Sequence, residues 1–573
     1  MQTEKKLTGY PSIDKPWLKY YPDFLINQER IITTLNSRLR TAWKSDETII
    51  NYYDTHITAK EFFERTDSIA KSLCALGIKE GDSIAVSLES VPEFLELFLA
   101  CELIGCSVKN FIEPVDIAIE LIESCSASVY ITHDYISKND VQEIYDKTHI
   151  NNVILVPPLF SATNKGKIRE NIQTAIDERY TEKSFDSRNI MWDVFLEKGS
   201  STNIESPQKD DNILFSAFTS GTSGKPKEVM HSTKTIMGEI NQLTLFPSHD
   251  KGKDTWLLTI APPSLVAVVV ALMFYPLIDG KILILDPFCK LEDLDLEMMH
   301  YEPTCWGMSP LFFNPILESN RIPEDYDMSY FKLFGFGSEP LAIKFIERVQ
   351  AFLDKHNCKA PFSSGYGQSE GGSGFTVCMG IEMIASGSAG MPYIDTVISI
   401  FEPGTTNELT YGQIGEVCKS GPGIMVGYSD PEKTKEVLKK HEDGQLWLHT
   451  GDTGYMSPDG LLFVLGRTGI KIYPDKTIYP IGIENKVMTY PGIKEPIVIA
   501  GVDKEHSGYE TPYLFVIPER NQDKVALQNG LKKHLESILA PEEQPREIFI
   551  IDEKPVSHFK TDRRALQTTY GLI

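Results

Sequence analysis

Thr219-Ser220-Gly221-Thr222-Ser223-Gly224-Lys225-Pro226-Lys227 follows an apolar run from Ile213 to Phe218. Glycines let successive backbone N–H groups converge on one point. The hydroxyls add donors and two lysines supply charge, so the stretch has the chemistry of an anion cradle. It does not fit GxxxxGK[ST], which excludes a Walker loop. A Ser/Gly-rich surface linker is the bland alternative. Six small or hydroxylated residues leading into Lys-Pro-Lys are hard to obtain that way. Three other groups could serve an anionic substrate. Glu370, in Tyr366-Gly367-Gln368-Ser369-Glu370, offers hard oxygen ligands of the kind Mg²⁺ takes. Asp452, in His449-Thr450-Gly451-Asp452, can accept hydrogen bonds from neighbouring hydroxyls. Lys560 stands two residues before Asp562-Arg563-Arg564, 13 residues from the end. Each has an ordinary reading too: a surface Glu, a helix-capping Asp, a solvated Lys.

The order of the segments separates these readings. With Gly337-Ser338-Glu339-Pro340-Leu341, Gly466-Arg467, and Gly77 to Pro114 (containing Gly81-Asp82 and Pro92-Glu93-Phe94), they resemble the motifs of the adenylate-forming superfamily. That superfamily comprises acyl-CoA synthetases, luciferases and peptide-synthetase adenylation domains. The resemblance runs from about residue 50 to about residue 570. It implies a nucleotide site of Thr219, Ser220, Gly221, Thr222, Ser223, Gly224 and Lys225 on the ATP phosphates. Ser338, Glu339 and Pro340 would border adenine, with Tyr366 stacked on it beside Gly367, Gln368 and Ser369. Asp452 and Arg467 would hold the ribose. Glu370, with Thr219, would hold Mg²⁺. Lys560 would be the catalytic cation, delivered from a mobile small domain. Such a cation stabilises the charge that develops as an acyl group transfers onto AMP.

Three positions depart from the family pattern. Glu228 stands where the cradle normally ends in Gly, and is expected to point away or to pair with Lys225 or Lys227. Thr468-Gly469 follow Arg467 where an Asp is usual, and a swivel is expected there because Gly has the broadest backbone freedom. Phe559 replaces the Gly before the catalytic lysine. These changes bear more on the second half-reaction, thioester formation, than on adenylation.

The elements that must position these groups alternate short β-rich runs with longer amphipathic ones, the pattern of an α/β protein. Ser83–Leu88, Val129–Thr132 and Val153–Val156 read as strands. Pro92–Ile104 reads as a helix with Pro near its start. Leu257–Ile260, an apolar helix and Lys281–Leu285 read as a βαβ unit. Residues 159–210 are polar and read as an irregular surface excursion. A boundary is expected near Gly466-Arg467. A large N-terminal adenylation domain of several β-sheet subdomains, residues 1–466, would precede a small α+β lid domain, residues 467–573. In the lid, Ile497–Ala500 and Tyr513–Ile517 read as strands and Asp523–Ile538 as a helix.

Composition narrows the class. The 573 residues exceed what one core usually organises. A formal net charge of -24 leaves no excess of Lys and Arg to displace phosphate counterions, which argues against a nucleic-acid partner. Nine cysteines without a CxxC pair read as reduced thiols in a reducing compartment. The N-terminal Met1-Gln2-Thr3-Glu4-Lys5-Lys6 has no apolar stretch after it and does not read as a secretory signal. The longest apolar run, Leu265–Ile278, is about 14 residues and too short to span a bilayer. A cytoplasmic enzyme is the expectation.

In the family's peptide-synthetase branch an Asp early in the pocket helix holds the substrate amine. Here Ala261 to Val268 carries no acid, and Ser264, Leu265 and Val268 are the candidate pocket residues. A buried ammonium without a partner would be costly, so an apolar carboxylic acid is favoured over an α-amino acid. The run could also be plain core helix. The reading is therefore an ATP- and Mg²⁺-dependent carboxylate ligase forming acyl-AMP and pyrophosphate. It would pass the acyl group to coenzyme A. The alternatives are a stand-alone acyl-AMP ligase loading a carrier-protein phosphopantetheine, and a degenerate homologue that binds nucleotide or acyl ligand without turnover.

Overall fold

The computed structural model describes residues 7–30, 33–164, 168–180, 187–204, 207, 211–219, 226–245, 253–337, 339, 341–467, 469–473, 476–503, 506–557 and 560–572. Two large sheets form the N-terminal part. In one, the parallel strands Ser107–Asn110, Ser83–Ser87, Val129–His133, Asn152–Val156 and Asn189–Met191 lie side by side. Ile213–Thr219 continues that sheet beside Ser107–Asn110, and Lys227–Ser232 returns antiparallel to it. The cradle sequence thus spans the turn between two paired strands. Ser220 to Lys225 themselves lie outside the described residues.

The second sheet is built on Thr48–Tyr52, Ile282–Asp286, Thr255–Thr259, Cys305–Met308, Leu333–Phe336 and Phe362–Ser364, all parallel, with antiparallel edges. One apolar cluster fills the space between these layers. The helix Pro92–Ile104 lies in it almost wholly buried, started by Pro92 and stopped by Gly105 at φ 74°. A positive φ is where Gly replaces any other residue cheaply. A third, antiparallel sheet carries Gly415–Ser420, Leu446–Met456 and Leu462–Gly466.

The small C-terminal domain has its own apolar clusters. Ile493–Val502, Glu510–Pro518 and Ile548–Ile550 form its sheet, and Pro480–Val487 and Lys524–Ile538 its main helices. It contacts the large domain through Lys494 and Arg520, which both pair with Glu318 at 2.9 and 3.0 Å.

Two local expectations change. Among its described residues, the stretch 159–210 holds helices Glu170–Asp177 and Trp192–Lys198 and the edge strand Asn189–Met191. A few buried anchors, among them Ile172, Ile176, Trp192 and Phe195, fix this polar segment to the core. The apolar helix is a π-helix over Val268–Phe274, continuing as an α-helix over Tyr275–Ile278. Pro276 withholds an N–H from the ladder immediately after the wide turn, and π segments are rare outside functional sites. Seven of the cysteines are buried, two partly so, and all nine are free thiols. Among the described residues no helix is long and apolar enough to cross a membrane.

Candidate active site

Asp452 gathers three of the residues expected on the nucleotide side. Tyr366 Oη donates to its Oδ2 at 2.6 Å, Gln368 Nε2 to the same oxygen at 2.5 Å, and Arg467 Nε to Oδ1 at 3.1 Å. Gln368 and Arg467 also donate to the Thr450 carbonyl, each at 3.2 Å. Charge-assisted donors of this kind are stronger than neutral ones. Burial would lower the Arg467 pKa, but the Asp452 and Glu370 carboxylates outweigh it and hold the guanidinium above its ordinary value. Burial, followed by Asp452, pushes the Tyr366 phenol well above its ordinary value, so it stays a donor. Only glycine fits at 367, because a Cβ there would lie 2.1 Å from the Ser373 carbonyl oxygen.

The turn that presents Asp452 has its own support. Glu416 accepts from His449 Nδ1 at 2.9 Å and from Gly451 N at 3.1 Å, and His449 Nε2 lies 3.0 Å from His441 Nε2. Glu416, His449 and the neighbouring Cys418 are close enough for a metal ion. Glu416 and both nitrogens of His449 are already engaged in hydrogen bonds, which accounts for the cluster without one.

Glu370 sits in a short turn, Ser369–Gly371. Tyr428 Oη donates to its Oε1 at 2.8 Å, and Lys227 Nζ lies 5.1 Å from the centre of the Tyr428 ring. Among the described residues no hydrogen-bond donor reaches Oε2. A carboxylate oxygen open to a ligand is a hard donor of the kind Mg²⁺ takes. Thr219 ends the strand Ile213–Thr219, its hydroxyl donating to the Lys227 carbonyl at 3.5 Å. His231, missed in the sequence, braces the turn: its Nε2 donates to the Ser369 carbonyl at 2.8 Å, and Thr235 Oγ1 lies 3.1 Å from its Nδ1. Burial lowers its pKa to about 4, so the ring is neutral. An Nε2 facing a carbonyl must carry the proton.

Among the described residues Glu228 pairs with Lys109 and not with Lys227; Lys225 lies outside them. Glu228 is buried, and Lys109 Nζ also donates to Ser216 Oγ at 2.8 Å. Lys109 and Ser216 are register partners in the parallel sheet, so the sheet itself places the cation under Glu228. The carboxylate thus has a buried cation as its partner.

Glu339 meets the C-terminal domain. Thr561 donates its backbone N–H to Oε1 at 2.7 Å, and Lys554 Nζ lies 3.6 Å from Oε2. Lys560 pairs with Ser557 in the same hairpin. Ser338, Pro340, Thr468 and Phe559 lie outside the described residues. Gly466 adopts φ +118° with nothing within 4 Å of a Cβ added there. At Gly469 a Cβ would lie 2.1 Å from Thr477 Cγ2. Gly469 is thus packed into the small domain, while Gly466 ends its strand opposite Thr453. Ser264 and Leu265 are partly exposed where the apolar helical stretch begins; Val268 is buried in the core.

Two family models match the chain: the AMP-binding enzyme model over residues 39–429 and its C-terminal domain model over residues 482–558. The chain belongs to this family of adenylate-forming, AMP-binding enzymes, and curated relatives it resembles are AMP-forming CoA ligases. It is 27% identical over 481 residues to 4-coumarate–CoA ligase of Vanilla planifolia, covering 82% of this chain and 79% of that one. It is 25% identical over 569 residues to long-chain-fatty-acid–CoA ligase of Salmonella typhimurium, covering 96% and 98%. The fold matches O-succinylbenzoate coenzyme A synthetase of Bacillus subtilis, solved with ATP and magnesium, at TM-score 0.70 and 21% identity over 93% of this chain and 98% of that one. It also matches an anthranilate CoA ligase holding anthranoyl-AMP, at TM-score 0.78 and 16% identity over 96% and 99%.

Proposed function

We propose that this protein activates an apolar carboxylic acid with ATP and transfers the acyl group to coenzyme A. The convergence of Tyr366, Gln368 and Arg467 on Asp452, with Glu370 also acting on the Arg467 charge, carries the reading. In the first step a carboxylate oxygen attacks the α-phosphorus of ATP and pyrophosphate leaves, giving acyl-AMP. Asp452 and Arg467 hold the ribose, and Tyr366 lies against the base. Glu370 and Thr219 would hold Mg²⁺, which supplies charge neutralisation on the phosphates. Lys560 stabilises the charge developing between carboxylate and α-phosphate. In the second step a thiol attacks the acyl carbon and AMP leaves.

The acid is aliphatic or aryl. The helical stretch from Leu265 to Ile278 carries no acidic residue that would hold an amine. The named relatives act on a hydroxycinnamate and on long-chain fatty acids, which agrees. Free, mostly buried thiols suit a reducing compartment, so we place the protein in the cytoplasm. Functionally, residues 1–466 form the adenylating unit and residues 467–573 the moving lid.

Pyrophosphate release over a panel of carboxylic acids, with and without coenzyme A, tests the whole reading. The expected result is turnover with an aryl or aliphatic acid and coenzyme-A-dependent AMP release. A free amino acid as best substrate overturns the pocket assignment. AMP release that needs a holo-carrier protein instead of coenzyme A moves the acceptor to the carrier. No pyrophosphate from any acid supports a binding protein without turnover.

A further inference from the structure

The turn that presents Glu370 is gripped from beneath by a buried pair of opposite charges. Lys419, on the strand Gly415–Ser420, and Glu239, on the helix Thr233–Leu243, are both 0% exposed, with Lys419 Nζ 3.6 Å from Glu239 Oε2. The two groups take opposite poles of the same turn. Lys419 Nζ donates to the Gly371 carbonyl at 2.5 Å. Glu239 Oε1 accepts from Ser373 Oγ at 2.9 Å, from Gly374 N at 2.9 Å and from Ser373 N at 3.4 Å. Its other oxygen accepts from Gln242 Nε2 at 2.6 Å, and Gln242 in turn accepts from Thr396 at 2.9 Å. The fit leaves no slack. A Cβ at Gly372 would lie 3.0 Å from Glu239 Cδ, and one at Gly423 would lie 2.4 Å from Glu239 Oε2.

Taking two charges out of water is expensive, and replacing such a pair by apolar residues is often neutral or stabilising. A buried pair is therefore weak evidence of a stabilising device, and its contacts say what it does instead. Lys419 fixes a carbonyl one residue after Glu370, and Glu239 fixes the amides three and four residues after it. The Glu370 carbonyl is held as well, by Met425 N at 2.8 Å. The geometry points to Lys419 and Glu239 as positioning residues that aim the Glu370 carboxylate at the metal–phosphate site. This rests on the reading of Glu370 as the Mg²⁺ ligand. Groups behind a metal ligand typically tune metal affinity 10–100-fold.

The test is ATP binding to the full chain by calorimetry across a series of MgCl₂ concentrations, repeated in EDTA. Glu239→Gln keeps the shape of the side chain, and the paired Lys419→Met/Glu239→Gln variant removes both charges together. The pair carries the test if a single variant does not fold, with thermal melts as the check. Both should raise the half-saturating Mg²⁺ roughly 10–100-fold while leaving ATP affinity in EDTA unchanged. A purely structural role would weaken both arms equally. Added to Glu370→Gln, the paired change should shift the Mg²⁺ response no further. Folded variants with wild-type Mg²⁺ half-saturation, beside a shifted Glu370→Gln, overturn the positioning role. A wild-type response in Glu370→Gln itself overturns the metal-ligand reading on which it rests.

Discussion

Thr561 donates its backbone N–H to the Glu339 carboxylate across 2.7 Å, tying the hairpin that carries Lys560 to the adenine-side loop. We propose that this contact marks the adenylating arrangement of the small domain, with Lys560 as the catalytic cation. Lys560→Ala should slow adenylation by about 10²–10³-fold, the scale of losing one preorganised electrostatic contact. Attack of a thiol on supplied acyl-AMP should be largely unaffected. Assaying the two half-reactions separately checks this, and an equal loss in both would make Lys560 a structural residue.

Glu228 and Lys109 form a buried pair under the cradle strands. Removing one partner leaves the other charge unpaired, which costs about 3–5 kcal/mol. Lys109→Met and Glu228→Gln should each lower the thermal midpoint, and the paired Lys109→Met/Glu228→Leu variant should recover most of the loss. If Glu228→Gln instead leaves the midpoint unchanged but tightens ATP binding, Glu228 acts on the triphosphate.

That pair shows where sequence reading stops. Pro92–Ile104 was legible residue for residue, because Pro92 and Gly105 are local signals at its two ends. The strand leading into the cradle, Ile213–Thr219, and the order of the motifs were legible for the same reason, while the returning strand Lys227–Ser232 was not. Lys109 and Glu228 are 119 positions apart, and only the sheet register, parallel to Ile213–Thr219 on one side and antiparallel on the other, brings them together. Glu239, Lys419, His231 and Tyr428 were likewise invisible: each meets the Glu370 turn through a fold contact that no spacing announces. Residues 159–210 misled through their polarity, since a few buried side chains suffice to anchor short helices.

His231 adds a pH dependence. Its folded pKa, about 4, lies below the ordinary histidine value of 6.5 because burial disfavours the charged ring. As pH falls below about 6.5 the unfolded chain takes up the proton and the folded chain does not, so stability drops until about pH 4. The loss from this residue approaches roughly 3 kcal/mol at the acid end of that window. His133, lowered to about 3 by burial, acts in the same direction. His231→Asn should flatten the fall in thermal midpoint between pH 6.5 and pH 4.5. A variant with the wild-type slope would show that His231 does not set it.

The last expectation concerns which glycine turns. Rotation was expected near Thr468-Gly469, yet Gly469 is packed against Thr477 and Tyr479 inside the small domain, where a Cβ would lie 2.1 and 3.0 Å from their side chains. A residue wedged there is expected to move with the domain, and Thr468 lies outside the described residues. Gly466 closes the last strand of the third sheet at φ +118°, with open space around it. A residue with a Cβ adopts that φ only under strain of about 1–3 kcal/mol. Gly466→Ala should therefore disfavour the closed arrangement in which Thr561 reaches Glu339. Adenylation should slow by about tenfold or more, and thiol attack on supplied acyl-AMP by less, because strain at one φ penalises only the conformer that needs it. Gly469→Ala forces Thr477 aside in every arrangement. It should lower the stability of the small domain and slow both half-reactions together. Rates of the two half-reactions in both variants decide the matter. A selective defect in Gly469→Ala, or an equal one in Gly466→Ala, returns the pivot to Thr468-Gly469.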